Sequence, residues 1–125
     1  MKKIIFQIFG VVFNGNCDVY DRYIWLKKNL VVLSANSNFL DIGCGNGWSL
    51  FIAQKLEFKR VIGCSWSKKD LQKISERAKN LKKIELKEID ARKLDKIKFD
   101  TKFDAIVNTE NIEHIINAEK LISDI

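Results

Sequence analysis

The stretch from Phe39 to Gly47, F-L-D-I-G-C-G-N-G, constrains this chain more than any other. Phe39 to Ile42 is short and apolar, as a buried parallel strand is. Trp48 to Glu57 follows the glycines and carries Leu50, Phe51, Ala53 and Leu56, which suit a helix packed on a sheet. The turn from Gly43 to Gly47 therefore joins strand to helix. Glycine there permits φ > 0 and lets backbone come close to a ligand. At the carboxyl end of a strand in an open α/β sheet, such a turn is where ligands bind.

The flanking elements repeat the alternation. Asp18 is expected to cap a helix from Val19 to about Leu30, with Tyr20, Ile24, Tyr23 and the Lys27 stem on one side. Arg60 to Ser65 reads as a second apolar strand. Ser67, with Asp70 three residues on, opens a helix presenting Leu71, Ile74, Ala78 and Leu81. Ile84 to Asp90 is a weaker, alternating strand signal and Phe103 to Val107 a strong one. A last helix is expected from about Asn117. Strands alternating with helices imply a parallel sheet with right-handed crossovers.

Composition sets the class. The 125 residues are 46% hydrophobic and 30% charged, the balance of one folded domain and not of a disordered chain. The net charge of +6 comes from lysines scattered in pairs, as on a solvated surface; no nucleic-acid motif accompanies them, and no nucleic-acid partner is expected. Cys17, Cys44 and Cys64 are odd in number and include no C-x-x-C pair, which argues against disulfides and a zinc site. No metal is expected, and reduced thiols suit the cytoplasm. The apolar stretch Ile4 to Phe13 is interrupted by Gln7, lacks a small-residue cleavage site and is too short to span a bilayer. It is expected to be a strand or packing segment within an N-terminal extension over residues 1–17.

Two ligand types compete for the glycine turn. Dinucleotide folds use G-x-G-x-x-G and set a pyrophosphate on the helix amino terminus. Here the spacing is G-x-G-x-G, and Asp41 precedes the first glycine. That carboxylate would repel a pyrophosphate and suit a cationic ligand, such as the amino group of a methionine moiety. A tight turn without a ligand is the plain alternative.

D-I-G-C-G-N-G resembles motif I of the class I (Rossmann-like) S-adenosylmethionine-dependent methyltransferases. V-I-G-C-S-W-S (Val61 to Ser67) is similar to the end of that family's second strand. E-I-D-A-R (Glu88 to Arg92) is similar to the acidic position after the third, and F-D-A-I-V-N-T-E-N-I-E-H-I (Phe103 to Ile115) to the fourth strand and its loop. The likeness runs in unbroken order from about Tyr20 to Ile125 and extends to the cyclopropane fatty acid synthases, whose second strand ends similarly.

The resemblance implies an α/β, Rossmann-like three-layer sandwich with a mostly parallel sheet, and S-adenosyl-L-methionine as cofactor. It implies that Gly43, Cys44, Gly45 and Gly47 line the methionine part, with Asp41 supporting the turn. Asp90 would accept from the adenine amino group beside Ala91. Trp66 would pack on the adenine or ribose face, the alternative being a core aromatic. Ser65 stands where the family usually has an acid that grips the ribose hydroxyls, which predicts about tenfold weaker binding at most. Asn108 and Thr109 would touch the methionine carboxylate or amine. Glu110, Glu113 and His114 would follow on the loop facing substrate, with His114 and Glu113 as the catalytic candidates and loop-orienting roles as the alternative. Orientation and closeness supply most of the acceleration of an in-line methyl transfer, so the acceptor, expected to be a small molecule, leaves little trace in the sequence.

Residues 1–125 make a single but partial domain on this reading, with about four of the family's usual seven core strands. Phe103 to Val107 is then expected to be an exposed apolar edge open to self-association or a partner chain. A truncated, non-catalytic cofactor-binding or interaction module is the second functional reading. A nicotinamide-dependent oxidoreductase is the third, disfavoured by the glycine spacing and by Ser65.

Overall fold

The computed structural model describes residues 4–8, 11–15, 17–78 and 83–108. Four strands form one all-parallel sheet: β3 (Asn38–Ile42), β4 (Arg60–Ser65), β5 (Ile84–Glu88) and β6 (Ala105–Val107), in the order β5-β4-β3-β6. From β3 the chain steps outward to β4 and β5, then returns to place β6 on the other side of β3. The order of strands therefore reverses between β3 and β6, and that reversal opens a crevice at the carboxyl ends of the strands. Two further strands, β1 (Ile4–Ile8) and β2 (Val11–Gly15), pair antiparallel in a separate sheet, so the N-terminal apolar segment is a hairpin outside the parallel sheet.

The helices α1 (Cys17–Leu30), α2 (Trp48–Lys55) and α3 (Lys68–Arg77) share one apolar cluster with one face of the sheet. Phe39 and Val61 on that face meet Leu50, Phe51 and Ile74, all at most 2% exposed. The buried face of α1 is Tyr23, Leu26 and Leu30, with Ile24 partly buried against the same cluster, so Leu26 and Leu30 extend the expected side that held Tyr23 and Ile24. Tyr23 packs edge-on to Trp48, ring centroids 5.4 Å apart, which joins α1 to α2. The helix α2 is buried from Ser49 through Ala53 and ends two residues earlier than expected, where Glu57 takes a left-handed φ of 65°.

The opposite face carries Leu40, Ile42, Ile62 and Cys64. Its cover is not a long helix. It is the segment from Ile89 to Phe103, with Leu94 buried and Phe99 and Phe103 in edge-on contact at 5.2 Å. This segment contains two short 3-10 turns, Ala91–Lys96, kinked at Lys93. It also corrects two boundaries. β5 stops at Glu88 because Asp90 caps the first of those turns, and β6 begins only at Ala105 because Phe103 is drawn into this apolar layer. At the foot of the sheet Asn38 and Asp104 clasp β3 to β6: Asp104 N donates to Asn38 O at 2.9 Å, and Asn38 N donates to Asp104 Oδ2 at 2.8 Å. Ser67 caps α3 by accepting from Asp70 N, as its position in the sequence suggested. The Leu81 position and the helix expected from Asn117 lie outside the described residues. Among the described residues no helix is long and apolar enough to cross a membrane.

Gly63 decides how closely α2 and the glycine turn approach the sheet. A Cβ there would stand 2.4 Å from Leu50 Cδ1 and 3.2 Å from Cys44 Sγ. Leu50 is fully buried and has no room to retreat. Gly63→Ala is expected to destabilise the fold by about 1–3 kcal/mol, read as a lower midpoint of chemical denaturation with an unchanged slope.

Candidate functional site

The glycine turn leaves β3 at Ile42 and enters α2 at Trp48. Gly43, Gly45 and Gly47 all have left-handed φ, at 77°, 50° and 78°. Gly43 N and Cys44 N both donate to Cys64 O at 2.9 Å, which ties the turn to the end of β4. Gly47 N closes it by donating to Cys44 O at 2.8 Å. The glycines serve different needs. A Cβ at Gly47 would lie 2.8 Å from Ile74 Cγ1, so α3 packs against that position. A Cβ at Gly45 would meet nothing within 4 Å, so the backbone there borders open space. No side chain caps α2, whose first N–H groups face the same turn.

Asp41 lies beneath this turn. Its neighbours in register are Gly63 on β4 and Val107 on β6, and it is 1% exposed. Ser49, on the first turn of α2 and also buried, donates its hydroxyl to Asp41 Oδ2. Oδ1 of Asp41 is buried and accepts no hydrogen bond from the described residues. Burial pushes this carboxyl up to about 7, against the opposing effect of the Ser49 hydrogen bond. The thiol of Cys44 turns into the apolar cluster, so only its backbone is offered to a ligand. Burial first, and the Asp41 charge second, push the Cys44 thiol well above its ordinary value and that of Cys64 up to about 12. Both thiols are therefore unreactive near neutrality.

The neighbouring strand ends carry the other expected residues. Ser65, at the end of β4, is buried, and its Oγ accepts from Ser67 N at 3.1 Å. Its hydroxyl thus shapes the turn into α3. Trp66 is 74% exposed, which removes the core-aromatic alternative and leaves an indole free beside the strand ends. Asp90 accepts from Arg92 N at 3.0 Å and is gripped by the Arg92 guanidinium at 2.6 to 3.1 Å. Arg92 holds the Asp90 carboxyl down at about 2. The two oxygens of a carboxylate offer about four acceptor positions, so Asp90 retains capacity for a further donor. Ala91 follows it and opens the first 3-10 turn. Past the end of β6, both Oδ1 and Nδ2 of Asn108 are buried without a hydrogen-bond partner. Thr109, Glu110, Glu113 and His114 lie outside the described residues.

Across the sheet the series runs Asp90, then Ser65 and Trp66, then the glycine turn with Asp41, then Asn108. Strands about 4.8 Å apart spread these groups over roughly 15 Å. The arrangement offers an aromatic face, carboxylates at two strand ends, a close-approach backbone and an amide. It provides an exposed plane for a base, acceptors for amino groups, and no basic cradle for a phosphate. Ser49, Gly63 and Arg92 were not singled out from the sequence. Only the two-residue step from Asp90 to Arg92 carried a local signal, because the partners of Ser49 and Gly63 come from other elements.

Residues 39–125 match a family model described as a methyltransferase domain. Among curated proteins, none matches the chain in sequence. The fold is similar to N-methyltransferase NodS from Bradyrhizobium japonicum WM9 in complex with S-adenosyl-L-homocysteine, at 22% identity and TM-score 0.71, over 87% of this chain and 55% of that one. It is similar to an S-adenosylmethionine-dependent methyltransferase from Mesorhizobium loti at 22% identity and TM-score 0.67, over 85% of this chain and 47% of that one. It is also similar to the [4+2]-cyclase SpnF at 19% identity and TM-score 0.70, over 86% of this chain and 40% of that one. The chain thus spans about half the length of these structures or less.

The buried Asp41 carboxyl makes folding depend on pH. Between its ordinary value of 3.8 and about 7, the unfolded chain has lost this proton while the folded chain keeps it. The folded state then binds more protons, so this group's contribution to stability falls as pH rises through that window and levels off above it. Asp41→Asn is expected to gain on the wild type steadily from about pH 4 to about pH 7, by at most about 1.4 kcal/mol per pH unit. Denaturant titrations of both proteins across that range check it; parallel curves would show that Asp41 ionises normally in the folded chain.

Proposed function

We propose that this chain, which belongs to the methyltransferase domain family, binds S-adenosyl-L-methionine along the carboxyl ends of β5, β4, β3 and β6 and serves methyl transfer to a small-molecule acceptor. Family membership implies that cofactor. The observation that carries the reading is the buried Asp41 carboxylate, with one oxygen lacking a protein partner, beneath a turn of three left-handed glycines at the reversal of strand order. An unpartnered buried acceptor is costly, and a cationic or N–H donor from a ligand relieves that cost.

When bound, the cofactor's sulfonium supplies a methyl group already activated for attack. The protein's task is then to hold and orient. Gly45 lets the backbone approach the amino-acid arm. Asp41 draws its ammonium group or the N–H groups around it. Trp66 offers a face to the base or ribose, Asp90 accepts from the base amino group beside Ala91, and Asn108 offers its amide to the amino-acid arm. Ser65, already accepting from Ser67 N, contributes little grip on the ribose. Positioning on a rigid sheet edge converts the transfer into an effectively unimolecular step. His114 is the proposed proton acceptor from the methyl acceptor, with Glu113 as the other catalytic candidate, on the grounds of the sequence motif alone.

We extend the same reading to the chain's organisation and setting. The cofactor domain over residues 1–125 carries an N-terminal extension over 1–17, a reading supported by the separate β1–β2 sheet and by a family match beginning at residue 39. A cytoplasmic setting is supported by the free, buried thiols of Cys44 and Cys64. A second reading, an interaction module, is favoured by one observation. Among the described residues β6 pairs only with β3, and beside it lies a groove of about 460 Å³ lined by Trp25, Leu30, Leu33, Ala105 and Val107.

Calorimetric titration with S-adenosylhomocysteine tests the first reading. The wild type is expected to bind it and not NAD. Asp41→Ala is expected to cost about tenfold or more in affinity, and Asp90→Ala about tenfold or less because Arg92 already occupies much of that carboxylate. Absence of binding by the wild type would leave only the interaction module. Sedimentation tests the second: association through β6 predicts concentration-dependent dimers that Ile106→Lys, on a residue 37% exposed at that edge, reduces. A monomer at all concentrations would remove self-association.

A further inference from the structure

We propose that Ser49 is a positioning residue for the cofactor, fixing Asp41 through Oδ2 so that Oδ1 alone remains to accept from the ligand's ammonium group. The inference rests on the cofactor reading above and adds to it a residue outside the glycine motif. Ser49 is 2% exposed on the first turn of α2, and its hydroxyl donates across to β3. Serine inside a helix commonly turns its hydroxyl back to its own backbone. Here it reaches another element, to a carboxylate that is itself 1% exposed. Only one oxygen of that carboxylate is satisfied by the protein. A carboxylate held at one oxygen has lost its rotational freedom, and its second oxygen presents a fixed acceptor direction.

The surroundings of Asp41 make the role measurable. Its register neighbours, Gly63 and Val107, carry no charge. The titratable groups that feel it are the Cys44 and Cys64 thiols, both pushed to high values and so neutral across the working range. Asp70 reaches this cluster only through Cys44. Ser49 stabilises the ionised carboxylate that an ammonium group requires, and its loss makes ionisation, and with it binding, demand a higher pH.

The test is calorimetric titration of the full chain with S-adenosylhomocysteine between about pH 5 and about pH 8.5, beside carbon-13 NMR titration of the Asp41 carboxyl without ligand. In the wild type, affinity is expected to rise with pH around the Asp41 midpoint. Ser49→Ala is expected to move both midpoints upward by about one pH unit, weakening binding about tenfold at pH 6 and far less at the upper end. Ser49→Thr is expected to restore the wild-type midpoints. Alanine is a strong helix former, and Ser49→Cys, with a weaker donor of similar size, gives an intermediate midpoint should the alanine variant fold poorly. Equal weakening at every pH with unmoved midpoints would make Ser49 a mere packing residue and overturn the proposal while leaving the cofactor reading intact. Absence of binding by the wild type at every pH would overturn both, and the NMR midpoints would then report only whether Ser49 and Asp41 are coupled.

Discussion

The carboxylate of Asp41 is buried, and much of the architecture around it bears on that burial. It lies on the face of β3 that α2 covers, opposite a glycine on β4 whose missing side chain admits Leu50 and the Cys44 thiol. Burying a carboxylate in such a place is unfavourable unless it is hydrogen-bonded. One hydrogen bond comes from Ser49, and the second oxygen is left without a protein donor. A fold selected for stability alone would place an apolar residue here, as Phe39 is placed on the same face of the same strand. The polar exception, beneath a turn of left-handed glycines, carries an unrelieved desolvation cost.

The sheet sets this buried carboxyl among the other candidate residues. Parallel strands bring their carboxyl ends to one edge, and the reversal of strand order between β3 and β6 prevents helices from closing over that edge at the point of reversal. The adjacent Ser65 and Trp66, Asp90 and Asn108, on three different strand ends, are thereby aligned beside the glycine turn. Their states differ for identifiable reasons. Arg92 holds the Asp90 carboxyl below the usual carboxylate range, burial raises that of Asp41, and Ser65 is engaged in the turn to α3. Two carboxylates two strands apart thus differ in their readiness to ionise, Asp90 held low by its guanidinium partner and Asp41 raised by burial.

On the proposed reading, methyl transfer from a sulfonium asks for placement more than for proton chemistry, and rigid strand ends suit placement. A fold does not by itself fix a reaction, and a similar fold is found in a [4+2]-cyclase.

Local sequence by itself determined the alternation of strands and helices, the bounds of β4, the cap of α3 at Ser67 and the glycine turn, because each rests on neighbouring residues: an apolar run, a hydroxyl three residues before an N–H, a residue without a Cβ. It also brought Asp41, Asp90 and Asn108 forward, through the motif that surrounds each. Only the tertiary structure decided that Asp41 is buried and bonded to Ser49, that Gly63 is required by Leu50, and that Trp66 is exposed and not core. It likewise decided that Phe103 leaves β6 for the layer beneath the sheet, and that the N-terminal apolar segment pairs with itself. These are contacts between residues far apart in the chain or choices between two faces of an element, and periodicity does not say which face is covered or by what.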